Sequence, residues 1–489
     1  MQPGDQWCEN RVASPASDQA WGMANQHLSL TFLGGAQTVT GSKFLVTLAG
    51  KRRVLVDCGM FQGQKELREL NWERFPTNPA TIDAVVLTHA HMDHCGYLPA
   101  LVKHGFRGPV YVTEGTRRLA EIVLRDAGHL QESEAEDARR GGYSRHADPQ
   151  PLYTAQDVED TLPLFRSVEY HSDFELLDGL QMRMWRAGHI LGSASIRMWV
   201  DGADPEEDAI VFSGDLGRHQ HPVLADREVP EGAPTVLIES TYGDREHPEP
   251  EVEHEAFGDL INRTVARGGN VLIPAFAVDR TEVVLLTLQQ MMETGRINAD
   301  IPIFVNSPMG LAALDVYCDP ALAYEIGPEF RGRPFINLPT LREARSKEDS
   351  IALNRPTKPS IIISASGMAA GGRVVHHLQH MLPDPNNAVV FTGFQSNGTR
   401  GRALVDGASE LKMYGKYVPV RAEVLQDNEF SVHADASDLI DWLADMTPRP
   451  SSVYCVHGEP DSAYALARRI RKQLGVVAVV PSYGEVVRL

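Results

Sequence analysis

The chain has 489 residues, 43% of them apolar, and a formal net charge of −19. That length exceeds one ordinary core and predicts two domains. The charge excludes bulk attraction to a polyanion but leaves room for a local basic groove. No apolar run approaches the ~20 residues that a bilayer crossing needs. The five scattered cysteines (Cys8, Cys58, Cys95, Cys318 and Cys455) form no CxxC pair, which suits a reducing cytoplasm and small buried side chains.

Residues 1–27 are polar and lack the basic start and apolar stretch of a secretory signal, so they are expected to be a disordered extension. Short apolar strands follow at Leu28 to Phe32, Phe44 to Val46, Arg53 to Val56, Ala84 to Leu87 and Pro109 to Val112. Gly115 to Gln131 reads as a helix, and the charged segment Glu132 to Gln150 as a surface excursion. Strands resume at Met182 to Trp185, Ser195 to Val200 and Ala209 to Phe212. From about Tyr242 helix and strand alternate: helices at Glu251 to Arg267 and Arg280 to Glu293, strands at Asn270 to Ile273, Ile303 to Val305, Ile361 to Ser364 and Ala388 to Thr392. This is the grammar of a parallel sheet with crossover helices. Gly327 to Lys358 reads as irregular, and two more helices are expected at Ala436 to Leu443 and Ala463 to Gln473.

The densest chemistry lies in Thr88-His89-Ala90-His91-Met92-Asp93-His94, directly after the apolar run Ala84 to Leu87. A loop leaving a buried strand points alternate side chains into one cleft. Histidine nitrogen and carboxylate oxygen are zinc ligands, and one zinc takes about three protein ligands plus a water. Four such side chains in one loop therefore predict a shared two-metal site, completed from elsewhere. His189, Asp215, Asp57 and His457 each follow a strand-like run, usually with glycine beside them. A sheet fixes the positions of residues at its strand ends.

The His-x-His-x-Asp-His loop with these partners resembles the metallo-β-lactamase superfamily. Glu239-Ser240-Thr241-Tyr242-Gly243-Asp244-Arg245, Ser431-Val432-His433-Ala434-Asp435 and Val456-His457-Gly458-Glu459 narrow the resemblance to motifs A, B and C of its β-CASP nuclease branch. The resemblance implies an α/β fold: an αββα sandwich built from 28–243 and 426–489, with an α/β β-CASP cap inserted at 244–425. It assigns His89, His91 and His189 to one metal and Asp93, His94 and His457 to the other, with Asp215 bridging. Zinc suits the nitrogen-rich set, and manganese is admitted in the second position. The nucleophile would be a water or hydroxide between the ions. Asp57 would orient the metal-binding loop by hydrogen bonds, His433 would be the general acid, and Glu239 its partner.

Motif C with histidine, as at His457, marks branch members that act on RNA; DNA-repair members usually carry an apolar residue there. Ser307, Ser366 and Gly367 fall where the family's cap lines the nucleic-acid cleft, and Ser431 lies in motif B. Arg373, Arg400 and Arg402 sit in the glycine-rich settings Gly371-Gly372-Arg373 and Gly398-Thr399-Arg400-Gly401-Arg402, where backbone can approach phosphate. Ion pairs within the cap are the alternative for these arginines. Two positions depart from the family pattern: Asn306 stands where Asp often precedes Ser-Pro-Met, and Asp279 where Gly often precedes Arg280. The implied activity is a metal-dependent ribonuclease, endonucleolytic, 5′→3′ exonucleolytic or both, acting in the cytoplasm without a membrane. A DNA-acting nuclease of the same family, another hydrolase of the superfamily and a non-catalytic RNA-processing subunit are the competing readings. Similar proteins commonly form homodimers, which the sequence leaves open.

Overall fold

The computed structural model describes residues 28–48, 51–141, 148–202, 208–247, 254–330 and 335–489. The expected extension at 1–27 lies outside them. Two seven-stranded sheets stack face to face. The first runs in the order Val486–Arg488, Leu28–Gly34, Lys43–Leu48, Arg52–Val56, Ala84–Val86, Val110–Val112 and Phe165–Ser167. The second runs Val477–Val479, Ser452–Val456, Thr235–Glu239, Ala209–Phe212, Ala194–Val200, Leu180–Arg186 and Phe174–Leu177. C-terminal strands therefore join both sheets, and Val486–Arg488 pairs antiparallel with the first strand of the fold.

Alternation along these strands explains the stacking. Leu30, Val46, Val54 and Val86 of the first sheet meet Met182, Ile196, Ile210 and Leu237 of the second in one dry core. The outer faces are also apolar and are covered by helices. Leu98–Lys103 and the long helix Glu114–Gly141 cover the first sheet, and Ala436–Ala444 and Pro460–Gln473 the second.

A third sheet is all parallel, in the order Leu341–Glu343, Ile303–Val305, Ile361–Ser364, Val271–Pro274, Ala388–Phe391 and Glu423–Gln426. Its central strands are buried throughout and almost wholly apolar because helices cover both faces. The core on one of these faces is continuous with the core under Glu114–Gly141, so Leu119, Val123, Val278, Leu311 and Tyr317 share one apolar cluster across the two units.

Two expectations are corrected. The helix expected to end at Gln131 continues to Gly141. Charge there supports helix rather than excursion: Arg140 pairs with Glu136 one turn earlier. The span read as irregular, Gly327 to Lys358, contains the edge strand Leu341–Glu343 and the helix Lys347–Ala352, which a Ser346/Asp349 capping box starts. No helix among the described residues is long and apolar enough to cross a membrane.

Candidate active site

Strand Ala84–Val86 ends in the loop that carries His89 and His91, and the single-turn helix Met92–Cys95 carries Asp93 and His94. His189 lies in the turn between Leu180–Arg186 and Ala194–Val200, Asp215 after Ala209–Phe212, and His457 after Ser452–Val456. These ends meet between the two sheets, directly under the inserted unit.

The ligand-type atoms separate into two groups. In the first, His91 Nδ1 lies 3.1 Å from His89 Nε2 and 3.3 Å from His189 Nε2. Asp215 Oδ2 lies 3.6 Å and 3.7 Å from the same two Nε2 atoms. In the second, His457 Nε2 lies 3.3 Å from Asp93 Oδ2, and His94 Nε2 lies 3.3 Å from Asp215 Oδ1. The carboxylate of Asp215 thus turns one oxygen toward each group. Burial, reinforced by neighbouring imidazoles, holds His89 and His189 well below the ordinary histidine range, and burial brings His91 down to about 4. Neutral imidazoles are what metal ligation requires; His94 goes the other way, because against its burial the Asp215 and Asp57 carboxylates hold it well above the ordinary histidine range.

The fit to metal is tested by the atoms left over. Nε2 of His94 and Oδ1 of Asp215 are buried and have no well-formed hydrogen bond; each faces only other members of the cluster, at 3.3 Å. Imidazole nitrogens facing one another at 3.1–3.3 Å present lone pairs to a common point, and a cation satisfies them all. The donor set fits a metal ion.

Around this centre other side chains fix the ligands. Asp57, at φ +60°, accepts from Thr88 N at 2.7 Å, and its Oδ2 lies 2.8 Å from His94 Nδ1. That contact leaves His94 Nε2 free to face Asp215. Thr241 Oγ1 lies 3.2 Å from His457 Nδ1.

His433 and Glu239 stand beside the first group. His433 Nδ1 lies 3.2 Å from Glu239 Oε1, and its ring centre is 4.4 Å from that of His189. Glu239 is fully buried and also accepts from Leu216 N at 2.7 Å. Burial alone would lower the His433 imidazolium, but the Glu239 carboxylate outweighs it and the net direction is upward. Asp435, two residues on, caps helix Ala436–Ala444 and accepts from His247 N at 2.9 Å.

The cap residues are arranged differently from one another. Gly367 packs so closely on Phe276 that a Cβ would lie 2.8 Å from that ring, and Phe276 stands 6.2 Å from the His91 ring. Ser307 caps helix Pro308–Tyr317, Ser366 Oγ accepts from Ala370 N at 3.0 Å, and Ser431 is buried beside Tyr242. Arg373 donates to Asn306 Oδ1 and to the carbonyls of Ala344 and Arg345, each at 2.8 Å. Arg400 donates to the carbonyls of Ala369 and Ala370, and Arg402 pairs with Asp406 at 2.9 Å on the surface. Asn306 also contacts Ser350 and His377, and burial holds His377 down at about 4. An amide at 306 suits that neutral imidazole and the arginine together. Phe276, Thr88, Tyr317 and Glu325 complete the surroundings of the site. Thr88 and Phe276 lie within recognisable motifs, but Tyr317 and Glu325 carry no local signal.

The sequence matches the Metallo-beta-lactamase superfamily over residues 39–247, the Beta-Casp domain over 281–404 and the Zn-dependent metallo-hydrolase RNA specificity domain over 417–481. Ribonuclease TTHA0252 of Thermus thermophilus is 40% identical over 441 residues, spanning 89% of this chain and 94% of that protein. The chain belongs to the β-CASP branch of the metallo-β-lactamase superfamily. Transcription termination factor FttA of Pyrococcus horikoshii is 31% identical over 94% of this chain and 71% of its own length. Among solved structures, a protein of unknown function from Enterococcus faecalis V583 shares the fold at a TM-score of 0.50 and 14% identity, covering 95% of this chain and all of that one. The family and the His/Asp cluster make the protein a metal-dependent hydrolase.

Proposed function

We propose that the protein is a ribonuclease that hydrolyses RNA phosphodiester bonds with two zinc-class ions. The observation that carries this reading is the division of seven side chains, five of them buried and His91 and Asp93 partly so, into two ligand groups with Asp215 turned toward both. The RNA preference is supported by His457 in motif C and by the relative named a ribonuclease.

His89, His91 and His189 would hold one ion, Asp93, His94 and His457 the other, and Asp215 both. Ions held there supply Lewis acidity: they neutralise phosphate oxygens and lower the pKa of a water toward neutrality. Everything else is done by the chain. Asp57 fixes the tautomer of His94, and Thr241 orients His457. With Nδ1 engaged by Glu239, His433 keeps Nε2 to protonate the oxygen that leaves when the scissile P–O bond breaks. The Glu239 carboxylate stabilises the imidazolium before that transfer. Phe276 and Gly367 form the wall over His91 against which the substrate backbone lies. The surface guanidinium of Arg402 is the cap group best placed to meet outlying phosphates, whereas Arg373 and Arg400 are engaged by carbonyls of their own unit.

Incubation of metal-loaded protein with RNA labelled at the 5′ or the 3′ end tests the reading. A product ladder that disappears with chelator is expected, and its order separates endonucleolytic from 5′→3′ action. Intact RNA beside efficiently cut DNA of the same sequence would overturn it.

A further inference from the structure

We propose that Tyr317 and Glu325 of the inserted unit are positioning residues for the metal-binding loops, so that the cap sets the geometry of the metal centre beneath it. The inference rests on the reading of His189 and Asp215 as ligands.

The turn that carries His189 is Gly188-His189-Ile190-Leu191-Gly192-Ser193. Its own side chain Ser193 accepts from His189 N at 3.0 Å, and Thr113 and Thr116 donate to Gly192 O at 2.6 and 2.7 Å. Two successive backbone donors of this turn point the other way, into the cap. Leu191 N donates to Tyr317 Oη at 3.1 Å, and Gly192 N to Glu325 Oε2 at 2.6 Å. Tyr317 and Glu325 are 2% and 1% exposed, so no water replaces them. Tyr170 of the sandwich donates to Ser193 O at 3.0 Å, and the same hydroxyl lies 3.3 Å from Glu325 Oε2.

The loop after Asp215 is held by the same stretch of the cap. Ala225 N donates to Glu325 O and Gly327 N to Val223 O, both at 2.9 Å, with Leu224 and Ile326 bridged antiparallel between them. His221 Nδ1 accepts from Val223 N and Leu224 N, so its proton sits on Nε2, 3.3 Å from Asp279 Oδ2. The other oxygen of Asp279 accepts from Tyr317 Oη at 2.9 Å. One hydrogen-bonded chain therefore joins Leu191, Tyr317, Asp279 and His221, and so both ligand loops. Asp279 stands at φ +67°, a conformation that favours glycine, and these two bonds hold it there. Coupling is reciprocal by linkage: a cap that orders the loops favours metal, and metal favours the docked cap.

Cobalt titration of the full-length apo protein tests this, read by visible ligand-field absorption, with thermal unfolding to verify folding. Wild type, Glu325→Ala, Glu325→Gln, Tyr317→Phe and His189→Ala are compared. Loss of a contact that orients a ligand weakens metal binding by roughly 10–100-fold. Glu325→Ala and Tyr317→Phe are expected to bind one of two Co2+ ions at least about 10-fold more weakly, with an altered band. Glu325→Gln, which keeps an acceptor oxygen, restores both. Tyr317→Phe removes a single oxygen and decides alone if Glu325→Ala does not fold. Wild-type affinity and spectrum in Tyr317→Phe and Glu325→Ala, with one ion lost in His189→Ala, would overturn the clasp and leave the ligand assignment standing. An unchanged spectrum in His189→Ala would overturn the assignment and the clasp with it.

Discussion

At the residue scale the proposed site separates candidate metal ligands from the candidate proton donor. His433 lies beside the ligand set, but its Nδ1 is engaged by Glu239 rather than by the cluster. His433→Ala should therefore leave metal content unchanged while cleavage slows by roughly 10²–10⁴. A substrate with an activated leaving group needs little protonation and should be partly spared; equal loss on both substrates, measured in parallel single-turnover assays, would mean that His433 positions RNA instead. Asp215 has the opposite signature. Because its two oxygens face different ligand groups, Asp215→Ala should lose at least one ion by elemental analysis. Retention of the full wild-type complement would contradict the bridging role.

At the scale of elements, motif B shows how one short segment serves two ends. Its histidine faces the site, while Asp435 starts helix Ala436–Ala444 with a capping box and holds His247 N. Asp435→Ala should destabilise the protein by about 1 kcal/mol through the lost cap, seen as a lower denaturant midpoint. Activity per folded molecule should fall too, because Asp435 holds His247, whose Nε2 lies 2.8 Å from His433 O. Helix Arg400–Val405 carries the clearest electrostatic test. Arg402 is paired with Asp406 within the helix and remains on the surface. If it meets an RNA phosphate, Arg402→Ala should flatten the slope of log affinity against log salt by about one unit. Identical slopes for variant and wild type would leave Arg402 a partner of Asp406 alone.

For the whole molecule, the inserted unit and the sandwich share a core and a set of buried polar contacts, and one carboxyl among them is shifted toward neutral pH. Glu325 is raised from 4.5 to about 7, chiefly by burial, against the stabilising bond from Gly192 and the charge of Arg186. Tyr170 and Tyr324 also face it. The native state thus keeps a proton that the unfolded chain releases near pH 4.5. Between that pH and about 7 the native state binds more protons, so stability falls as pH rises across the window. The loss is at most about 3 kcal/mol. Glu325→Gln cannot titrate, and its unfolding midpoint should vary less with pH than that of wild type over this range. Parallel profiles for the two proteins would show that Glu325 keeps an ordinary pKa.

The sequence by itself determined the candidate ligand types and the strand ends that carry them. Metal ligation demands particular side chains, and the loop from His89 to His94 places four of them within a few residues of one buried strand. It also determined the parallel third sheet, because strands buried on both faces are almost wholly apolar. Only the tertiary structure decided what depends on segments far apart in the chain. His433 and Glu239 are 194 residues apart, and family resemblance, not local pattern, joined them beforehand. The engagement of Arg373 by Asn306, Ala344 and Arg345 could not be read from its glycine-rich setting, which is equally compatible with phosphate. Tyr317 and Glu325 had no signal at all: an isolated tyrosine and glutamate acquire a role only when folding buries them against unsatisfied backbone donors. Spacing encodes what one strand and its loop can present to a site, whereas pairing of buried polar groups across a domain boundary is set by the packing of both sides at once.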